Sequence, residues 1–246
     1  MLSLFYILLA LLPVLIYITL IWLTLPINSI NFRKSIVYAI TGIIGVGVVL
    51  TLHDLFPFII QQTNNFLSYF IFSFLQIALV EELSKLSAFF IGEKIIKTKS
   101  EEDELPISIM FYCGISALGF SFLENVHYAI MYGGEVLIIR STLSMILHFL
   151  CGLIMGYWVA KSRLPVKIKN RSLLELKFIK NPKLKSITMI SMGVFCASAI
   201  HGLFDFNILT NGHITSNYLI IASAIIASYL GAKELISIKN KKKKCL

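Results

Sequence analysis

Apolar residues fill seven long runs of this chain, and polar residues are gathered mainly in the connections between them. The runs are Leu2–Leu25, Ser35–Leu52, Phe66–Ile91, Ile107–Tyr132, Val136–Ala160, Ser186–Leu209 and Ile214–Ile236. A bilayer core of roughly 30 Å is crossed by about 20 apolar residues at the helical rise, and each run has about that length. Lipid offers no partner to a bare peptide group, so such a segment must satisfy its N–H and C=O groups internally, as an α-helix. The pattern predicts an all-α, polytopic membrane helix bundle with about seven transmembrane helices. No internal repeat or soluble insertion interrupts it, and residues 1–246 read as a single domain.

Composition excludes an ordinary soluble protein. Hydrophobic residues make up 57% of the 246 and charged residues 14%, where a soluble chain carries about a quarter charged. The first run is too long for a signal peptide and has no basic flank before it, so a retained helix is expected. Cys113, Cys151 and Cys196 lie inside apolar runs with no metal-ligand spacing and read as small buried hydrophobes. Cys245 is penultimate, which is not the position of a prenylated cysteine.

The net charge of +9 changes meaning once its placement is considered. Arg33 and Lys34 lie in the first connection, and Lys94, Lys97 and Lys99 in the third. The fifth connection, 161–185, holds nine basic residues, and Lys233, Lys239 and Lys241–Lys244 end the chain. Alternate connections thus carry two, three, nine and six, or twenty of the 22 Lys and Arg residues, and the others carry none. This is the signature of a cytoplasmic face. It predicts an N-terminus outside, a C-terminus inside, and a basic loop (161–185) and tail (239–246) resting against anionic lipid, with no nucleic-acid partner. Nothing in the pattern specifies an oligomeric state.

The two remaining basic residues, Lys85 and Arg140, lie within apolar runs and have acidic and histidine company. A charge at mid-bilayer costs about 2.5–3.5 kcal/mol on insertion scales, so such residues pair or serve a function. Glu81, Glu82 and Lys85 share the third run; Glu124 and Asn125 lie in the fourth; His148 is central in the fifth; His201 and Asp205 lie in the sixth. Glu81 and Lys85 are one helical turn apart, as are His201 and Asp205. Counted from the run midpoints at 1.5 Å per residue, Glu81, Glu124, His148 and His201 fall within roughly two turns of one depth. Gly114, Gly119, Gly152, Gly156 and Gly202 allow the helices around them to approach closely. Four helices are therefore expected to surround one polar site.

These residues resemble the PrsW family of intramembrane proteases, within a wider superfamily that includes CAAX-processing enzymes. The resemblance rests on Glu81-Glu82-Leu83-Ser84-Lys85, on Phe120 to Glu124, on His148, and on His201 with Asp205. It spans the motif core 66–209. The CAAX branch would show Arg for Lys85 and His for Glu124, which sets this sequence on the PrsW side. The resemblance implies cleavage of a membrane-tethered protein, such as an anti-sigma factor, within or beside its transmembrane segment. Glu81, Glu82, Glu124, His148 and His201 are then the expected catalytic residues, and Lys85, Phe120, Asn125, Arg140 and Asp205 the supporting ones.

Peptide hydrolysis in a membrane needs water, a base and donors for the developing oxyanion. The Glu81-Glu82 pair can supply the base, Lys85 can hold one carboxylate ionised, and a histidine can serve the oxyanion or the leaving amine. Glu124 and Asp205 would orient the imidazoles. No H-E-x-x-H signature is present, so the expectation is a glutamate mechanism without a cofactor. The alternative is a Zn²⁺ ion with ligands among Glu82, Glu124, His148 and His201. Proton-coupled transport and a non-catalytic membrane scaffold also use buried ionisable residues, although no inverted repeat supports transport.

The charge alternation makes a direct prediction. A reporter enzyme fused after Leu246 should be active on the cytoplasmic side, and activity only outside the cell would overturn the orientation.

Overall fold

The structure is a computed structural model that describes residues 2–24, 30–55, 66–96, 105–163, 181–210, 218, 221–227 and 229–230. Every regular element among them is helical, and six helices are long and apolar enough to cross a membrane. They are α1 (Leu2–Thr24), α2 (Phe32–Leu55), α3 (Phe66–Ile96), α4 (Pro106–Tyr132), α5 (Glu135–Arg163) and α6 (Pro182–Leu209). The seventh apolar run, Ile214–Ile236, is described only in part, and its described residues 218, 221–227 and 229–230 are helical. Residues 164–180 of the basic loop and the basic tail 239–246 lie outside the described residues.

Several helices extend past the apolar runs that announce them, because polar end turns are still helical. Lys94 and Arg163 close α3 and α5, the C-terminal position at which a cation complements the helix dipole. Asn31 and Asn181 cap α2 and α6. Asn31 Oδ1 accepts from the backbone N–H groups of Arg33 and Lys34, and Asn181 Oδ1 accepts from those of Lys183 and Leu184, satisfying donors the helix leaves open. Pro106 and Pro182 stand at the first helical position, where no intrahelical N–H is missed. Gly133, at φ +94°, ends α4 in a conformation that side chains resist. Only one further residue then separates α4 from α5.

Helix α4 is the hub. It packs against α1, α2 and α5, while α2 continues onto α3 and α5 onto α6. Most of α4 is buried, whereas α1 exposes Leu4, Phe5, Leu8 and Leu12 as a lipid-facing surface does. Association inside lipid depends on close packing, because there is little hydrophobic gain between helices. At the α2–α4 contact the backbones touch: a Cβ on Gly42 would collide with the Ser116 carbonyl, and one on Gly119 with the Ala39 carbonyl. Gly152 of α5 lies similarly against the backbone of Cys113 and Gly114. Tyr38, Tyr112 and Phe89 stack at centroid spacings of 4.6 and 5.3 Å and join α2, α4 and α3. The Ser84 hydroxyl adds a bond to the Gly45 carbonyl at 2.9 Å.

Two helices contain a π-helical segment, Phe72–Ala78 in α3 and Arg140–Ser144 in α5. Such segments are uncommon, and each turns the residues beyond it to a different face of the helix. Both lie on the approach to the buried ionisable residues.

The backbone contact at α2–α4 predicts that Gly42→Ala and Gly119→Ala each destabilise the bundle by about 1–3 kcal/mol through overpacking. Gly47→Ala meets nothing within 4 Å and should be neutral or slightly stabilising through helix propensity. Thermal unfolding of the three variants in one detergent checks this; equal melting temperatures would remove the close-contact account.

Candidate active site

Helix α3 supplies three residues of the site from two adjoining turns. Glu81, Glu82 and Lys85 are all buried, and the Lys85 ammonium donates to Glu81 Oε2 at 3.2 Å and to Glu82 Oε1 at 2.8 Å. Its remaining proton meets His148 Nδ1 at 2.7 Å. An ammonium can only donate, so this ring nitrogen must accept, and the imidazole proton belongs on Nε2. The Phe120 ring covers the ammonium at 4.4 Å from its centroid, adding a cation–π contact in a buried setting.

His148 Nε2 lies 2.9 Å from Glu124 Oε2. That oxygen has no aligned hydrogen-bond donor among the described residues, so the ring N–H does not point straight at it. The contact is an electrostatic one of short range. The other Glu124 oxygen meets Arg140 Nη2 at 2.5 Å, and Arg140 Nε donates to Asn125 Oδ1 at 2.9 Å. On the far side, His201 Nδ1 is 2.9 Å from Glu82 Oε1. His201 Nε2 faces Asp205 Oδ2 at 3.3 Å and Glu81 Oε2 at 3.8 Å. The two imidazoles meet edge to face at 4.8 Å.

The structure therefore brings every sequence-selected residue into one chain of contacts: Asn125, Arg140, Glu124, His148, Lys85, Glu82, His201 and Asp205, with Glu81 beside Lys85 and Phe120 over it. Tyr128 was not singled out in the sequence. Its ring lies 3.8 Å from the Arg140 guanidinium carbon, and the only sequence signal for it is its position one turn beyond Glu124 on α4. Ser144, one turn before His148 on α5, is buried, and the Ser141 carbonyl accepts from the Tyr17 hydroxyl at 3.2 Å. Cys113 and Cys151 are buried free thiols apart from this chain of contacts.

With all four carboxylates ionised and both imidazoles neutral, the charges of the network would not balance. Glu81, Glu82, Glu124 and Asp205 contribute four carboxylates, while Lys85 and Arg140 contribute two permanent cations. With both imidazoles neutral, two negative charges remain in a low-dielectric setting, which is costly without compensation. One oxygen each of Glu82, Glu124 and Asp205 is buried with no aligned donor among the described residues. Two bound protons or one divalent cation would neutralise the excess.

The donor set suits a cation. Glu81, His148 and His201 each offer one ligand atom, and these lie within 4.8 Å of one another. Two histidines and a glutamate are a known catalytic zinc set. Each imidazole also has a nitrogen against a carboxylate, His148 Nε2 on Glu124 and His201 Nδ1 on Glu82, the kind of outer-shell contact that metal-binding histidines make; a cation at His148 Nδ1 would have to displace the Lys85 ammonium from it. Glu81, rather than Glu82 or Glu124, is the carboxylate brought to this group.

Comparison with known proteins agrees with the geometry. A family model described as PrsW family intramembrane metalloprotease matches residues 32–230. Protease PrsW of Oceanobacillus iheyensis is 34% identical over 128 residues, which cover 52% of this chain and 58% of that protein. Protease PrsW of Bacillus subtilis is 30% identical over 161 residues, 65% of each chain, and that of Geobacillus kaustophilus is 35% identical over 107 residues, 44% of this chain and 45% of its own. The matched regions thus span from under half to just under two thirds of these relatives. No solved structure matches. With the family model covering all but the first helix and the end of the chain, this protein belongs to the PrsW family.

Proposed function

We propose that this protein is a metal-dependent intramembrane protease that cleaves a membrane-tethered protein substrate, of which an anti-sigma factor is an example. The observation that carries the reading is the convergence of Glu81, His148 and His201 within 4.8 Å, with a carboxylate behind each imidazole. A divalent ion held by these three residues would supply Lewis-acid polarisation of the scissile carbonyl. Glu82 is suited to the proton work. Lys85 and His201 steady its Oε1, while its Oε2 is buried with no aligned donor among the described residues and can take a proton from the attacking water. The same oxygen can return that proton to the leaving amine. Lys85 places a positive charge beside the reacting groups, where developing oxyanion charge is stabilised by fixed donors. Glu124 and Asp205 hold the imidazoles.

The metal-free glutamate mechanism is the second reading, and one observation favours it. The Lys85 ammonium already bridges Glu81, Glu82 and His148, so a cation of the chain's own stands among the donors. There the Glu81-Glu82 pair activates the water unaided.

The orientation with the basic face in the cytoplasm, against anionic lipid, belongs to the same proposal. Arg33, Lys34, Lys94, Lys161, Lys183 and Lys185 are all close to helix ends on one side of the bundle, where long cationic side chains can reach headgroups.

Purified protein in liposomes with a membrane-tethered reporter tests the reading. Glu82→Gln keeps shape and removes the base, and should cut cleavage by about 10²–10⁴-fold. A chelator should abolish wild-type cleavage and added zinc should restore it. Wild-type rates for Glu82→Gln would mean the base is misassigned, and cleavage indifferent to chelation would put the metal-free mechanism in place of the metal one.

A further inference from the structure

The α5 helix reaches the site twice, through His148 and through Arg140, and the second reach depends on a local departure from α-helical geometry. Arg140 precedes His148 by eight residues. In an unbroken α-helix, at 3.6 residues per turn, the two would point about 80° apart. The π segment Arg140–Ser144 absorbs about one residue between them and brings them to within about 20° of a common direction. Both then reach one carboxylate, Arg140 Nη2 at Glu124 Oε1 and His148 Nε2 at Glu124 Oε2.

The guanidinium is itself fixed on three sides. Its Nη2 is on Glu124, its Nε is on Asn125 Oδ1, and its face lies on the Tyr128 ring at 3.8 Å. Arg Nε can only donate, so the Asn125 amide must turn its oxygen to it. Glu124, Asn125 and Tyr128 are all on α4, one residue and one turn apart. A lysine has no planar fork to match this arrangement.

We infer that Arg140 and Tyr128 are positioning residues: with Asn125 they clamp the Glu124 carboxylate beside His148 Nε2, where its charge supports the Nε2–H form whose Nδ1 accepts from Lys85. The inference deepens the proposed function and rests on it for its catalytic consequence alone. Among the described residues Arg140 meets Glu124, Asn125 and Tyr128, none of them in the Glu81, His148 and His201 group. It acts through Glu124.

The test uses the full chain with ¹⁵N-labelled histidine in detergent micelles, where imidazole nitrogen shifts identify the protonated position. The wild type should show one His148 form with the proton on Nε2. Arg140→Gln should convert it to a mixture of forms and reduce reporter cleavage about 10–100-fold, the usual effect of losing an outer-shell partner. Arg140→Lys should not rescue either property. Tyr128→Phe, which keeps the ring, should keep the wild-type His148 signature, and Tyr128→Leu should show a part of the Arg140→Gln change. An unaltered His148 signature in folded Arg140→Gln, or full rescue by Arg140→Lys, overturns the clamp. If the Arg140 variants do not fold, identical His148 spectra for Tyr128→Leu and Tyr128→Phe overturn it instead. Because the tautomer is read without turnover, an altered signature in a protein that never cleaves the reporter upholds the clamp and removes the protease reading.

Discussion

A lysine ammonium deep in a membrane bundle must find all its partners in the chain, and the way Lys85 does so organises the rest of the site. Its three protons go to Glu81, Glu82 and His148, which ties two adjacent carboxylates of α3 to an imidazole of α5. Glu82 then engages His201 of α6, and His148 engages Glu124 of α4. Removing one partner from such a buried charge pair costs about 3–5 kcal/mol, because the other charge is left uncompensated. The four helices are thereby held in one relative depth by electrostatics, and the close glycine contacts of α4 with α2 and α5 make that depth sterically possible.

The same requirement explains where the fold was legible from the sequence. A membrane span is defined by length and apolarity, and six of the runs emerged as helices with ends displaced by only a few residues. The displacement is physical: Lys94, Arg163 and Lys183 continue their helices because their long side chains can leave the apolar layer while the backbone stays in it. The common depth of Glu81, Glu124, His148 and His201 was legible for the same reason, since depth in a membrane helix follows residue count. The pairing of His201 with Asp205 followed from their one-turn spacing.

Who contacts whom across helices was not legible, because rotation about a helix axis is not fixed by apolarity when every face is apolar. Glu82 and Glu124 were the carboxylates expected as cation ligands, but the rotation of α3 presents Glu81 to the two histidines and turns Glu82 to His201 Nδ1. Arg140 could be assigned a charge partner but not which one. Its meeting with Glu124 needs the π segment, and no periodicity announces that segment. Tyr128 carries no sequence signal of its own, because an aromatic residue near a span end is ordinarily an interfacial anchor, and its role under Arg140 exists only once that contact is made.

In the proposed metal mechanism one divalent ion at Glu81, His148 and His201 would offset the excess of four carboxylates over two fixed cations. Elemental analysis of chain purified from zinc-replete cells measures that directly. About one zinc or comparable divalent ion per chain is expected, falling to background in Glu81→Ala and in His201→Ala with the helical content retained. A wild-type preparation that carries no divalent ion and still cleaves its membrane-tethered substrate would contradict it.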